Sequence, residues 1–224
     1  MNNTIETYTI AFYNIENLFD INNDRATNDE AFLPSSPKRW THKRYQNKLK
    51  KLGSVISKIG NEDAEQAPVV VGLAEVENSK VLSDLVQSET LIDEDYDFIH
   101  YDSSDERGID VALLYKKDIF KVTNSETFSV YLQNEQGEQD YTRDILLVQG
   151  TLYNENVNII VNHWSSRREG KTETEFKRLA AAKKVNSIIT NVKKEDPNAK
   201  FIVMGDFNDN PDNNSIALME DESG

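Results

Sequence analysis

The chain has 224 residues, no cysteine and a formal net charge of -14. Its length suits one large domain, and a hydrophobic content of 38% is enough for a folded core. Without cysteine there is no disulfide, thiolate nucleophile or cysteine-based metal site. The acidic balance disfavours tight, sequence-independent binding of duplex nucleic acid. No segment reaches the roughly 20 apolar residues of a membrane span. We therefore expect a soluble protein, which we assign to the cytoplasm; a leader removed before Met1 would leave no trace, and the oligomeric state stays open.

The first half of the sequence predicts strands alternating with helices. A helix is predicted to begin after Thr41 as N-cap, because apolar residues recur every three or four positions from there to Gly60. Asn78 is a candidate N-cap for a second, short helix. Short β-branched or apolar runs predict strands at 7–14, 69–74, 97–101 and 109–115.

The second half predicts a hairpin and then a further helix and strand. Strands at 143–153 and 156–164 are separated by an Asn-Glu-Asn turn that suits antiparallel pairing. Thr172 and Glu175 form a capping-box pattern ahead of a helical apolar stripe, and a last strand is predicted at 200–205. Hairpins combined with strand–helix alternation indicate an α/β protein with mixed sheets faced by helices.

Three predicted strands end in clusters of carboxylate and carboxamide side chains. Asn14 ends the first strand and Glu75 ends the run at 69–74, while Asp206 and Asn208 follow the last strand. Strand ends are where α/β proteins place their sites. Oxygen donors of this kind suit magnesium, manganese or calcium. One divalent cation could therefore bridge these strand ends.

A fourth strand ends at His163, and arginines occur nearby. The ordinary pKa range of histidine suits proton transfer, although a core histidine bonded to backbone is the alternative. Arg143 and Arg167 could hold phosphate oxygens through two parallel hydrogen bonds. For Arg167 a plain surface charge is equally consistent with the sequence.

Five strings carry a family resemblance when taken together: FYNIENLFD, VVGLAEVEN, RGIDVALLY, VNHWSSRREG and IVMGDFND. In this order and spacing, over about residues 7 to 212, the chain resembles the endonuclease/exonuclease/phosphatase superfamily. That superfamily includes deoxyribonuclease I-like nucleases, abasic-site endonucleases, sphingomyelinases and inositol phosphatases. The resemblance implies a four-layer α/β/β/α sandwich of two mixed, mainly antiparallel sheets with outer helices. It also implies magnesium-dependent hydrolysis of phosphodiesters or phosphomonoesters by an activated water.

The resemblance assigns roles to individual residues. Glu75 matches the glutamate that binds magnesium, for which manganese or calcium could substitute, and Asn14 matches the asparagine beside the ion and the phosphate. Asp206 matches the aspartate that directs the attacking water, and Asn208 the asparagine that stabilises the transition state. His163 matches the histidine that binds or protonates the phosphate. Arg143 and Arg167 are then predicted contacts of the substrate phosphate.

One feature of the family pattern is missing. Family members carry a further Asp-His pair on later strands, whereas this chain reads NNSIALMEDESG after Asp212. The sequence therefore predicts a single domain over residues 1–224 that is incomplete at its C-terminus, without the last strands and with weak or no turnover. A phosphate-containing substrate, either nucleic acid or a small phosphoester, is the expected partner. A non-catalytic binding domain that keeps the fold is the alternative hypothesis.

Overall fold

A computed structural model describes residues 7–134 and 136–223, with side chains described as far as Met219. Two single-turn helices occur at Glu30–Phe32 and Ile92–Glu94. The helices are α1 (His42–Ile56), α2 (Asn61–Ala64), α3 (Ser79–Val86), α4 (Glu175–Glu195) and α5 (Asn214–Ser223). The strands are β1 (Ile10–Leu18), β2 (Val70–Val76), β3 (Tyr96–His100), β4 (Asp110–Lys116), β5 (Phe120–Phe128), β6 (Leu132–Gln133), β7 (Gln139–Asp140), β8 (Ile145–Leu152), β9 (Glu155–His163) and β10 (Lys200–Asp206).

The strands form two four-stranded sheets that share the same pattern of parallel and antiparallel pairing. The first sheet has the order β1-β2-β4-β3 and the second the order β10-β9-β8-β5. In each sheet the first pair is parallel and the other pairs are antiparallel. β6 and β7 form a separate two-stranded ribbon. Both sheets are thus mixed and mainly antiparallel, as predicted.

Three apolar clusters define four layers. The first packs α1 and α3 against one face of the first sheet, through residues such as Leu49, Leu82 and Leu114. The second fills the space between the two sheets. The third packs α4 and α5 against the outer face of the second sheet, through residues such as Ile160 and Val185. This arrangement confirms the predicted α/β/β/α sandwich.

A glycine lets the two sheets approach closely near the candidate site. A Cβ atom at Gly72 would lie 2.5 Å from Sδ of Met204 in β10 and 3.2 Å from Cδ2 of Phe12 in β1. A larger side chain would therefore force the Met204 side chain, or β2 itself, to shift. Glu75 lies on β2 and Asp206 on β10, so this glycine allows the strands that carry the two carboxylates to pack closely.

Most predicted elements are confirmed within one or two residues, and Asn78 caps α3 by accepting from the backbone N of Val81 at 3.0 Å. Four details were wrong. β1 begins at Ile10 instead of Thr7 and continues to Leu18, so that Asn14 lies inside the strand. α1 ends at Ile56, short of the predicted end at Gly60. The β8–β9 turn consists of residues 153–154, since Leu152 pairs with Glu155.

The fourth wrong detail is the start of α4. Its N-cap is Thr174 instead of Thr172, and the Thr174 hydroxyl bonds to the carbonyl of Gly170 at 2.6 Å. The strand β5 and the helix α5 were not predicted.

No helix within the described ranges combines the length and the apolar character that a bilayer crossing requires.

Candidate functional site

The ends of four strands meet at one edge of the sandwich. The parallel register places Asn14 beside Ala74, and in the other sheet it places Asp206 beside His163. β1 and β10 lie against each other across the sheets. As a result, Nδ2 of Asn14 donates to Oδ2 of Asp206 at 2.9 Å and lies 3.4 Å from Oε1 of Glu75. The residues predicted from separate strands are therefore neighbours.

Backbone in the left-handed region is concentrated around this cluster. Glu16, Asn17, Glu75 and Asn208 have φ angles of 55°, 61°, 68° and 51°. Non-glycine residues adopt such angles only where surrounding contacts hold them, and such residues gather at functional sites. The strand registers of β1 and β2 also shift beside Asn14 and Glu75. These irregularities turn the two side chains toward β10.

Lys48 of α1 holds part of this strained backbone in place. Its Nζ donates to the carbonyl of Glu16 and lies 3.4 Å from the carbonyl of Asn17. Burial lowers the pKa of Lys48, and the charges of Glu16 and Glu75 oppose that shift. Oδ1 of Asn14 accepts from the backbone N of Glu16 at 2.9 Å. This bond turns the amide nitrogen of Asn14 toward the two carboxylates.

In the described part of the chain no Lys or Arg forms an ion pair with Glu75 or Asp206, although the charges of Lys48 and Arg107 act on Glu75. The ion pairs there include neither Lys nor Arg against these two groups, and His163 Nε2 lies 3.7 Å from Oε1 of Glu75. Two adjacent carboxylates that share one amide donor repel each other unless a cation lies between them. Their oxygen donors fit a hard divalent cation such as magnesium.

His163 is buried, and its pKa is shifted out of the ordinary range that suits proton transfer. Burial, followed by the positive charges of Arg143 and Arg107, lowers the pKa of His163 to about 2. The imidazole is therefore neutral at neutral pH, and its Nδ1 makes no hydrogen bond within the described residues. Neutral imidazole can donate or accept a hydrogen bond, but unlike imidazolium it is a poor acid for protonating a phosphate or leaving group.

Arg143 is fixed next to His163. Its NH1 lies 3.1 Å from Oδ2 of Asp105, and its NH2 lies 3.4 Å from Nε2 of His163 and 3.2 Å from the carbonyl of Trp164. Only 8% of its side chain is exposed. This geometry holds one cationic group beside His163, at the edge that also carries Asp206.

Arg107 is a site residue to which the sequence analysis gave no role. Its NH2 donates to Oδ1 of Asn17 at 2.7 Å, and its charge acts on both His163 and Glu75. The sequence contained a clue to this role, because Arg107 is the first residue of RGIDVALLY, one of the five strings that carry the family resemblance. Arg107, Arg143 and nearby Arg168 line one cavity of about 250 Å³.

The segment after β10 carries Asn208, and residues of other elements hold it in place. The backbone N of Asn208 donates to Oδ1 of Asp206 at 3.0 Å, and its Nδ2 donates to the carbonyl of Trp164 at 3.0 Å. Arg143 contacts that same carbonyl. Two potential phosphate donors therefore point at one oxygen atom.

Arg167 and Arg178 anchor this segment through Asp209. Arg167 donates to Oδ1 of Asp209 at 2.5 Å, and Nε of Arg178 lies 2.8 Å from Oδ2. Arg167 also donates to the carbonyl of Asn208 at 2.7 Å and to Oδ1 of Asn213 at 2.8 Å. The guanidinium of Arg167 is thus engaged with protein groups, and a contact with substrate phosphate stays a prediction.

A four-layer sandwich with carboxylates and amides gathered where its two sheets meet defines the class of deoxyribonuclease I-like proteins. The chain belongs to the endonuclease/exonuclease/phosphatase family, whose sequence model matches residues 9–221. This match confirms the resemblance seen in the five strings. Members of the superfamily are phosphoesterases and nucleases.

Solved structures share the fold at low sequence identity. A mannosyl-6-phosphatase of Bacteroides thetaiotaomicron is 16% identical with a TM-score of 0.57, covering 95% of this chain and 69% of that one. TDP2 of D. rerio, in complex with a single-strand DNA product, is 16% identical with a TM-score of 0.55, covering 94% and 63%. TDP2 of C. elegans is 18% identical with a TM-score of 0.53, covering 76% of this chain, which spans 45% of that protein's length. No curated protein sequence matches the chain.

Proposed function

We propose that this chain is a magnesium-dependent hydrolase of phosphoester bonds. The observation that carries the proposal is the pair formed by Glu75 and Asp206. Asn14 joins the two carboxylates, and no Lys or Arg of the described residues forms an ion pair with either. Manganese or calcium could substitute for magnesium, since all three prefer oxygen ligands.

Glu75 is the proposed cation ligand. Its left-handed backbone, with φ 68°, directs the carboxylate to the edge between the sheets. Asn14 would complete this part of the site. Its amide nitrogen faces both carboxylates, and its oxygen, which accepts from the backbone N of Glu16, has a second lone pair that could bind the cation. A bound divalent cation supplies Lewis-acid polarisation of the phosphoryl oxygen.

Asp206 is the proposed group that directs the attacking water. Its Oδ1 accepts from the backbone N of Asn208 and its Oδ2 from Asn14, which fixes the plane of the carboxylate. A carboxylate held in this way can accept a proton from water as the water attacks phosphorus in line with the leaving oxygen.

Asn208, Arg143 and His163 are proposed to stabilise the charge of the transition state. Asn208 and Arg143 already converge on the carbonyl oxygen of Trp164, so a phosphoryl oxygen in that region could take up both donors. His163 would contribute a hydrogen bond as neutral imidazole. We give Arg167 a positioning role, because it holds the carbonyl of Asn208.

The structural neighbours point to phosphorylated substrates of different size. The D. rerio TDP2 structure contains a single-strand DNA product, and the Bacteroides protein is a mannosyl-6-phosphatase. A net charge of -14 disfavours long duplex nucleic acid as substrate. We therefore place small phosphoesters and single-stranded ends ahead of duplex DNA.

Hydrolysis of bis-p-nitrophenyl phosphate tests this proposal. Nitrophenolate leaves without being protonated, so the assay does not depend on a proton donor in the protein. We expect weak turnover that requires Mg²⁺ and that falls to the background rate in Glu75→Gln and in Asp206→Asn. Glu62→Gln, on exposed α2, is the matched control and should retain full activity. Absence of Mg²⁺-dependent turnover by the folded wild-type chain would instead support the non-catalytic alternative.

A further inference from the structure

The edge of the first sheet carries a second group of potential metal ligands beyond the Glu75–Asp206 pair. His100 ends β3 and Asp110 begins β4, with Asp102 in the loop between them. One ligand atom from each of the three lies within 4.8 Å of the others. No part of the proposed hydrolysis uses these side chains.

The geometry of His100 does not match a simple hydrogen bond to a carboxylate. Its side chain is 1% exposed, and its Nε2 lies 3.5 Å from Oδ2 of Asp110. A histidine–aspartate hydrogen bond is normally 2.7–2.9 Å long, and Nε2 makes no hydrogen bond within the described residues. In a tetrahedral zinc site, neighbouring nitrogen and oxygen ligands lie about 3.3 to 3.6 Å apart. The observed spacing therefore suits a shared cation.

Other contacts orient part of this group. Nδ1 of His100 lies 3.3 Å from the hydroxyl of Ser79 and 3.9 Å from Oδ1 of Asp102, whose exposed side chain would turn toward Nε2 to share an ion with it. Oδ1 of Asp110 accepts from the backbone N of Ser103 at 3.1 Å. The Ser79 hydroxyl can accept from Nδ1, which would leave Nε2 with the free lone pair that a metal ligand needs, and the Ser103 bond directs the Asp110 carboxylate. Nε2 and Oδ2 are then left facing each other.

The surroundings favour a cation as well. Asp102 and Asp110 line a cavity of about 600 Å³. Of the described residues that line it, six are acidic and none is basic: Asp24, Glu77, Asp102, Asp105, Glu106 and Asp110. Thr27 also lines this cavity, and its hydroxyl is buried without a hydrogen bond within the described residues.

We propose that His100, Asp102 and Asp110 form a second divalent-cation site, selective for a transition-metal ion such as Zn²⁺. An imidazole with two carboxylates favours such an ion over magnesium or calcium, which prefer oxygen ligands only. The ion would tie together the two ends of the loop at residues 101–109. That loop carries Asp105, which holds Arg143, and Arg107. The ion would thus stabilise the loop that places both arginines beside His163.

Zn²⁺ binding tests the proposal, measured by calorimetry and by the melting temperature. The background is Glu75→Gln, which weakens the other candidate site. We expect one Zn²⁺ per chain, with the melting temperature raised by about 5 °C or more at roughly 100 times the dissociation constant. Asp102→Asn should weaken binding at least about 10-fold, and because this side chain is 84% exposed the variant should fold normally. His100→Gln should abolish binding.

His42→Gln, a change at an exposed histidine, is the matched control and should bind Zn²⁺ like the background variant. Binding that survives both Asp102→Asn and His100→Gln would overturn the proposal, as would no binding at all by the background variant. Binding lost in Glu75→Gln but present in the wild-type chain would assign Zn²⁺ to the other site. The proposed Zn²⁺ site does not depend on the proposed hydrolysis. Protein that shows no hydrolysis but binds Zn²⁺ through His100 would support the Zn²⁺ site and contradict only the proposed activity.

Discussion

The buried charges of Arg178 and Asp209 allow a quantitative prediction for Asp209→Asn. The two side chains are 1% and 2% exposed, and Nε of Arg178 lies 2.8 Å from Oδ2 of Asp209. Removing one partner of a buried ion pair usually costs 3–5 kcal/mol. Arg178 keeps hydrogen bonds to Thr174 at 2.6 Å and to the carbonyl of Lys171 at 2.7 Å. We therefore expect a loss at the lower end of this range, about 3 kcal/mol in the free energy of unfolding.

Urea denaturation followed by tryptophan fluorescence measures this loss. In thermal unfolding the same change corresponds to a melting temperature lower by about 6 to 12 °C for a chain of this length. Asp212→Asn, at an exposed residue three positions away, is the matched control and should stay within about 0.5 kcal/mol of wild type. If Asp209→Asn lowered the free energy of unfolding by less than about 1 kcal/mol, the assignment of Asp209 as the anchor of the segment after β10 would be refuted.

The same variant has a predicted pH dependence. Burial alone would raise the pKa of Asp209, but hydrogen bonds from Ser215, Arg178 and Arg167 outweigh it, and the pKa is lowered. A carboxyl group with a lowered pKa in the folded state contributes stability above its unfolded pKa of about 3.9, and this contribution is lost as the pH falls below that value. Wild type should therefore lose more stability than Asp209→Asn between pH 5 and pH 3, and equal losses would contradict the assignment.

Two further variants test how the site is held together. Lys48→Met should reduce Mg²⁺-dependent turnover at least about 10-fold, since it removes the donor to the strained backbone after Asn14, whereas Lys51→Met, exposed on the same helix, should not. Equal activity of the two variants would contradict that role. Gly72→Ala should lower the free energy of unfolding by about 1 to 3 kcal/mol in urea denaturation, because its methyl group would overlap Met204. Unchanged stability would show that the sheets have room to separate.

Much of the fold and site could be predicted because it depends on local pattern. Glu75 and Asp206 follow apolar runs, and parallel pairing brings such strand ends to one edge. β5 was missed because most of its residues are at least partly exposed and it includes Thr, Asn, Ser and Glu. α5 was missed because only its packing on α4 distinguishes it from a polar tail.

Long-range contacts could not be predicted, since nothing in the local sequence encodes them. Arg167 and Arg178 have no local pattern that sets them apart, yet both contact Asp209. Lys48 belongs to a lysine-rich helix face, and only the fold places it against Glu16. The neutral state of His163 follows from burial beside Arg143 and Arg107, which are far from it in the chain.

Calorimetric titration of Mg²⁺ without substrate tests the central claim most directly, because it asks only whether the carboxylate pair holds a cation. Wild type should bind one ion at the strand ends, and Glu75→Gln should weaken that binding at least about 10-fold, while Glu62→Gln should leave it unchanged. Equal Mg²⁺ affinity in wild type and Glu75→Gln, or no binding by wild type, would contradict the account.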